Sequence, residues 1–353
     1  MADGSKIEWT DATVNAVNGC SVVSPGCKHC YAMKLAGTRL RNHPSRAGLT
    51  IATDAGPVWN GEVKLHEPVL LQPLRWQRPR RIFWNAHGDL FHPKVPDEWI
   101  DRVFAVCALT PQHTHQILSK RSGRMQAYCS DPATPRRLAK VILDNALDWC
   151  GNYVAAFAAL IDRPNDGDPE QSVWPLPNVH LGVSVEDQPR ADERIPDLLA
   201  TPAAVRFLSC EPLLGPVNLR FEAGFCRVCG EMTSGAIDGH CMDPASACFA
   251  GEAGVDALIH WVIVGGESGH GARPMHPDWA RSLRDQCAAA GVPFHFKQHG
   301  EYLDFEHLGE RWNTMTNAQR GRQQFADGKA MIHVGKKAAG RLLDGVEHNG
   351  VPA

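Results

Sequence analysis

Short apolar runs rich in β-branched and aromatic residues recur along this chain, each tailing into a polar tip and most of them followed by a helix-like segment. Six are plain: "RIFWNAHGDLF" (81–91), "HTHQILSKRS" (113–122), "NVHLGVSVED" (178–187), "AVRFLSCEPLL" (204–214), "LIHWVIVGGESG" (258–269) and "VPFHFKQHGEY" (292–302). A further strand is expected near 12–19. Helical periodicity marks 97–109, 136–161 and 276–291, the last closed by Gly291. Each parallel neighbour in a sheet requires a crossover connection, so this alternation predicts an α/β fold with a parallel sheet. Its natural closure is a TIM-type barrel or partial barrel of about six to seven parallel βα units. A single domain over 1–350 is expected, with a small cysteine-rich insertion at 222–257.

Polar residues collect where the strands end: Asn85, His87 and Asp89; Lys120 and Arg121; Ser184 and Glu186; Ser209 and Glu211; Glu267 and Ser268; Lys297 and Gln298. In a parallel barrel those ends carry the chemistry, which predicts one shared cavity. A formal charge of −3 over 353 residues lacks the positive excess of proteins that coat nucleic acid, so any polyanion contact must be local. The start "MADGSKIEWTDA" has no export signal, and the longest apolar stretch, "YVAAFAALI", is too short to span a bilayer. A cytoplasmic protein without membrane contact is expected. Its twelve cysteines then read as metal or cluster ligands or as buried thiols, rather than disulfides. Cys107, Cys129, Cys150, Cys210 and Cys287, each alone in an apolar or helical context, read as small buried hydrophobes.

Two cysteine groups stand apart. "GCSVVSPGCKHCYA" places Cys20, Cys27 and Cys30 as C-x6-C-x2-C, with Gly19 and the "SPG" turn allowing the loop to curl and a helix expected from Tyr31. A structural zinc site uses four ligands, whereas three thiolates on a [4Fe–4S] cluster leave one iron open to a substrate or cofactor. The cluster is the reading these residues favour, with His29 lining the loop. "CRVCGEMTSGAIDGHCMDPASAC" spaces Cys226, Cys229, Cys241 and Cys248 as two pairs at loop distance, which suits a structural zinc ion fastening the insertion. An auxiliary iron–sulfur cluster, no metal, or His240 as a ligand are the alternatives.

A three-cysteine loop opening a series of βα units resembles the radical S-adenosylmethionine (SAM) superfamily. "IEWTDATVN", "GCSVVSPGCKHCYA", "GDLFHPKVPDEWI", "WVIVGGESGHGARPMHPDWARSLRDQCAAAGVPFHFKQHGE" and "VGKKAAGRLLDG" closely resemble a phage-associated family of radical-SAM-like proteins, over residues 6 to 346. The resemblance implies a radical-SAM-like barrel in which SAM, cleaved reductively to a 5′-deoxyadenosyl radical, abstracts hydrogen from a substrate. It implies cofactor-binding roles for Asn85, His87 and Asp89 at the SAM amino group, for Lys120 and Arg121 at its carboxylate or a substrate phosphate, and for Ser184 and Glu186 at the ribose. Glu211, Glu267 and Lys297 are left for the substrate, which phage association suggests is a nucleobase, nucleotide or phage DNA. Isomerisation or another nucleobase modification is a conceivable reaction class, and a reductant such as flavodoxin or ferredoxin would supply the electron. The competing reading is a non-catalytic zinc-binding nucleic-acid adaptor using both cysteine groups and the basic-aromatic stretch "RWQRPRRIFW" (75–84). That stretch reads more simply as a helix end followed by a strand.

Overall fold

The computed structural model describes residues 4–5, 7–151, 174–221, 223–225, 232–234, 259–308, 313 and 322–352. The chain divides into two compact units, Met1–Val183 with Thr201–Val205, and Ser184–Ala200 with Arg206–Ala353. The strands are β1 (Ala12–Val14), β2 (Val17–Asn18), β3 (Thr50–Thr53), β4 (Gly56–Trp59), β5 (Lys64–Leu65), β6 (Arg81–Trp84), β7 (Thr114–Ser119) and β8 (Val179–Ser184). They continue with β9 (Val205–Cys210), β10 (Ala223–Phe225), β11 (Met232–Ser234), β12 (Trp261–Gly265), β13 (Phe294–Gln298), β14 (Tyr302–Asp304), β15 (Arg322–Gln324) and β16 (Ala330–His333). The helices are α1 (Tyr31–Gly37), α2 (Glu67–Leu70), α3 (Asp97–Ala108), α4 (Ser122–Ser130), α5 (Thr134–Cys150), α6 (Gln188–Ala200), α7 (Pro277–Ala289), α8 (Phe305–Leu308) and α9 (Lys336–Ala339).

Seven strands make the main sheet in the order β1-β6-β7-β8-β9-β12-β13. The expected α/β class, with parallel strands separated by crossovers, is what the chain forms. In the first unit β6 pairs in parallel with β1 (Phe83 opposite Thr13) and with β7 (Phe83 opposite Gln116), and β7 pairs with β8. In the second, β12 pairs in parallel with β9 and β13. All five residues of β12 are buried, as expected of a parallel strand covered on both faces. Each expected strand is present but shorter than its apolar run. The helix expected over 136–161 runs as α5 from Thr134 and stops at Cys150, because Gly151 takes the left-handed conformation (φ 71°) and closes it. Residues 152–161 lie outside the described residues. Smaller antiparallel sheets are formed by β2-β5, β3-β4, β10-β11 and β14-β16-β15. No helix among the described residues is long and apolar enough to cross a membrane.

Helix α3 turns Ile100, Val103, Phe104 and Cys107 inward at helical spacing, and Phe104 packs against Tyr128 of α4. Under this layer lies His115 on β7, with no exposed surface. Its Nδ1 accepts the Trp84 indole N–H at 3.0 Å, so its proton sits on Nε2, 3.0 Å from Thr110 Oγ1, which itself donates to the Val106 carbonyl. Burial first, then the charge His113 would carry, holds the imidazole down to about 3. An unfolded histidine titrates near 6.5, so the folded state loses stability as pH falls below that value, where only the unfolded chain takes up the proton. Chemical denaturation at pH 5 should show about 2 kcal/mol less stability from this residue than at pH 8. His115→Gln should remove that part of the pH dependence; an unchanged slope would contradict the assignment.

Candidate functional site

The cysteine loop leaves β2 through Gly19, which adopts φ 96° and whose Cβ, were there one, would lie 2.1 Å from the Glu62 carbonyl oxygen. Only glycine fits there. Gly19 forms a parallel bridge with Gly88, so the loop departs beside the end of β6. The expected turn is a short 3-10 segment, Pro25–Cys27, and Cys30 caps α1, the expected helix. Cys20, Cys27 and Cys30 are all free thiols. Cys20 and Cys30 pack on one apolar cluster of Ala32, Met33, Ala36, Leu49 and Trp59. Burial pushes the Cys20 thiol up to about 12 and raises that of Cys30, and negative charge on Cys27 would raise both further. Both Cys20 and Cys30 thus lie within electrostatic reach of Cys27.

Arg121, at the end of β7, ties this loop to the sheet. Its Nη1 donates to Cys20 Sγ at 3.5 Å and to Asp89 Oδ2 at 2.8 Å, while Nη2 donates to the Ser21 carbonyl at 3.2 Å and hydroxyl at 2.8 Å. Asp89 also accepts from Phe91 N, Ser119 Oγ and Lys120 N, so both of its oxygens are taken. Of the strand-end residues singled out in the sequence, Asp89, Lys120 and Arg121 meet as partners of one another: Asp89 orients Arg121, and Arg121 holds the loop. Asn85 has a left-handed backbone (φ 57°), and its Oδ1 accepts from Val17 N at 2.8 Å. Its Nδ2 is buried without a partner among the described residues. His87 lies 2.8 Å from Arg46 Nη2 through Nδ1. A guanidinium can only donate, so Nδ1 accepts and the proton sits on Nε2. Burial, then the Arg46 charge, holds His87 down to about 4, a neutral imidazole.

In the second unit, Glu186 is fully buried and its Oε2 accepts from Arg194 Nη1 at 2.9 Å; the same nitrogen donates to the Ser184 carbonyl at 2.8 Å. Lys297 of β13 donates to Glu211 Oε1 at 2.6 Å, and Gly265, lacking a side chain, leaves room beside that carboxylate. Glu267 accepts from Arg273 through its backbone N–H, Nε and Nη2. Gly266 permits a close backbone approach to the His299 carbonyl, whose oxygen would lie 2.1 Å from a Cβ there. Cys226, Cys229, Cys241, Cys248 and His240 lie outside the described residues. In "RWQRPRRIFW" Arg81 pairs with Asp11, and Arg80 lies over the Trp76 ring at 4.9 Å. Sequence reasoning did not single out Arg46, Ser21, Arg194 or Arg273, each of which supplies a partner to a residue it did.

The family model described as "Protein of unknown function (DUF5131)" matches residues 4–352, and the chain belongs to that family. No curated protein matches it. Among solved structures it is similar to spore photoproduct lyase complexed with dinucleoside spore photoproduct, at 9% identity and a TM-score of 0.37, over 96% of this chain and 72% of that one. A mutant spore photoproduct lyase with bound AdoMet and dinucleoside spore photoproduct gives 9% identity, a TM-score of 0.38 and the same coverage. Likeness at that level carries no conclusion about chemistry.

Proposed function

We propose that the protein is a radical SAM enzyme whose Cys20, Cys27 and Cys30 hold a [4Fe–4S] cluster. The observation that supports this reading is the donor set: three free thiols on one eleven-residue loop, two of them on a common apolar cluster and one facing the Arg121 guanidinium. Among the described residues, no group of three or more His, Cys, Asp or Glu could hold a metal ion as placed. Three thiolates suit a cubane, where each binds a different iron and a fourth iron stays open. With cluster and SAM bound, the chemistry supplied is reductive cleavage to a 5′-deoxyadenosyl radical that takes hydrogen from the substrate.

The chain's own residues position and shield. Arg121 places a cation beside the Cys20 sulfur and fixes the loop through Ser21. Asn85 offers an unused buried amide donor for SAM, and His87 offers Nε2–H. Lys120, Arg121 and Asp89 complete the set assigned to SAM, with Asp89 also orienting Arg121. Ser184 and Glu186 are assigned to the cofactor's ribose, and Arg194 holds the Glu186 carboxylate. The Glu211–Lys297 pair can hold or pass a proton between Oε1 and Nζ, and Glu267 is steadied by Arg273. These three are assigned to the substrate, a nucleobase, nucleotide or phage DNA, with flavodoxin or ferredoxin as reductant. The second cysteine group is assigned to structural zinc.

Anaerobic purification with iron, sulfide and zinc analysis, followed by incubation with SAM and a strong reductant, tests this reading. A brown protein that forms 5′-deoxyadenosine is expected. A colourless protein carrying only zinc and leaving SAM intact would select the adaptor reading instead.

A further inference from the structure

The segment between α1 and β6 holds a buried charge that no acid meets among the described residues. Arg46 is only 6% exposed, and no carboxylate among the described residues meets its guanidinium. Nη1 donates to the Ser45 carbonyl and hydroxyl, Nη2 donates to His87 Nδ1, and the buried Nε has no partner. The nearby acids are engaged elsewhere, Glu62 with Lys94 and Glu67 with Arg102. The remaining neighbours are basic. Lys64 donates to the carbonyl of Ala47, the residue after Arg46, and His66 faces His43 with ring centroids 6.0 Å apart. Burial and then the Arg46 charge hold both His66 and His87 below their ordinary range.

Burying a guanidinium without a counter-ion costs several kcal/mol, so a fold that keeps one is short of an anion. We propose that Arg46 and Lys64, with His87 Nδ1 steadying the guanidinium, form a binding site for a phosphate ester, at the base of the cysteine loop where the His87 carbonyl accepts from Gly19 N. Two positive charges, with the Arg46 Nε–H still to be satisfied, suit a group carrying nearly two negative charges and three acceptor oxygens; a carboxylate supplies one charge and two oxygens. The site needs neither cluster nor SAM, so it stands apart from the radical chemistry proposed above.

The test uses the full chain as purified, in phosphate- and sulfate-free buffer, with methyl phosphate as probe and acetate as control. Calorimetric titration should show methyl phosphate binding to the wild type, roughly tenfold or more weaker binding to Arg46→Met, a smaller loss in Lys64→Met, and acetate binding at least about tenfold more weakly than methyl phosphate. Without ligand, Arg46→Met should melt no lower than the wild type, because it deletes an uncompensated charge; with methyl phosphate only the wild type should shift upward. The proposal is overturned by equal binding of acetate, by undiminished binding in Arg46→Met, or by a lower melting temperature in that variant together with a wild type that ignores the probe. Should Arg46→Met fail to fold, Lys64→Met decides, and unchanged affinity there overturns the site.

Discussion

Cys27→Ala is expected to give a folded, colourless protein: iron falling from about four atoms per chain to a small residue, and 5′-deoxyadenosine formation lost with it. In the proposed cluster each thiolate would serve its own iron, and Cys27 would be the central ligand, the one whose charge acts on both Cys20 and Cys30. The two remaining thiols are half-buried and resist ionisation, Cys20 reaching about 12, so without a metal to stabilise the thiolates they stay protonated and offer poor ligands. The control is Cys107→Ala. Cys107 is also fully buried and free, but it sits inside α3 among Val103 and Phe104, so its loss should cost packing and leave iron content unchanged. Iron retained by Cys27→Ala, or lost equally from Cys107→Ala, would remove the loop from the chemistry.

The seven parallel strands were legible because each is a short β-branched run between turn residues, a signal confined to the run itself. Their lengths were not. The run 81–91 stops being strand at Trp84, since Asn85 turns into the left-handed region to aim its side chain at Val17, a contact 68 positions away in sequence. The hairpin of β3 and β4 escaped notice because Ala52 and Pro57, which face each other across it, break the apolar alternation. In the site, the cysteine spacing and its turn are local and could be read directly. Asp89 and Arg121 could be read as strand-end residues, but not as each other's partner, because that pairing exists only once β6 and β7 lie side by side. Arg194 did leave a trace: it falls on the inward stripe of α6 with Ala191, Ile195 and Leu198, where an arginine calls for a buried acid.

That acid is Glu186, and its replacement should be among the most costly single changes in the chain. Glu186 and Arg194 have side chains 0% and 2% exposed and lie 2.9 Å apart. Glu186→Gln keeps the shape but leaves the Arg194 guanidinium buried without its counter-ion, a loss of about 3–5 kcal/mol when one partner of such a pair is removed. Denaturant unfolding would read it as a fall in midpoint at unchanged slope. The double variant Glu186→Gln with Arg194→Met removes both charges and should recover much of the loss, because well-packed neutral residues often replace a buried ion pair at little net cost. The same cycle separates fold from function. A carboxylate kept mainly to hold a cofactor hydroxyl would tolerate glutamine with under about 1 kcal/mol of destabilisation, and activity alone would fall. A carboxylate kept for Arg194 must show the large loss and its recovery in the double variant, and a small loss would transfer Glu186 to the ligand-binding set alone.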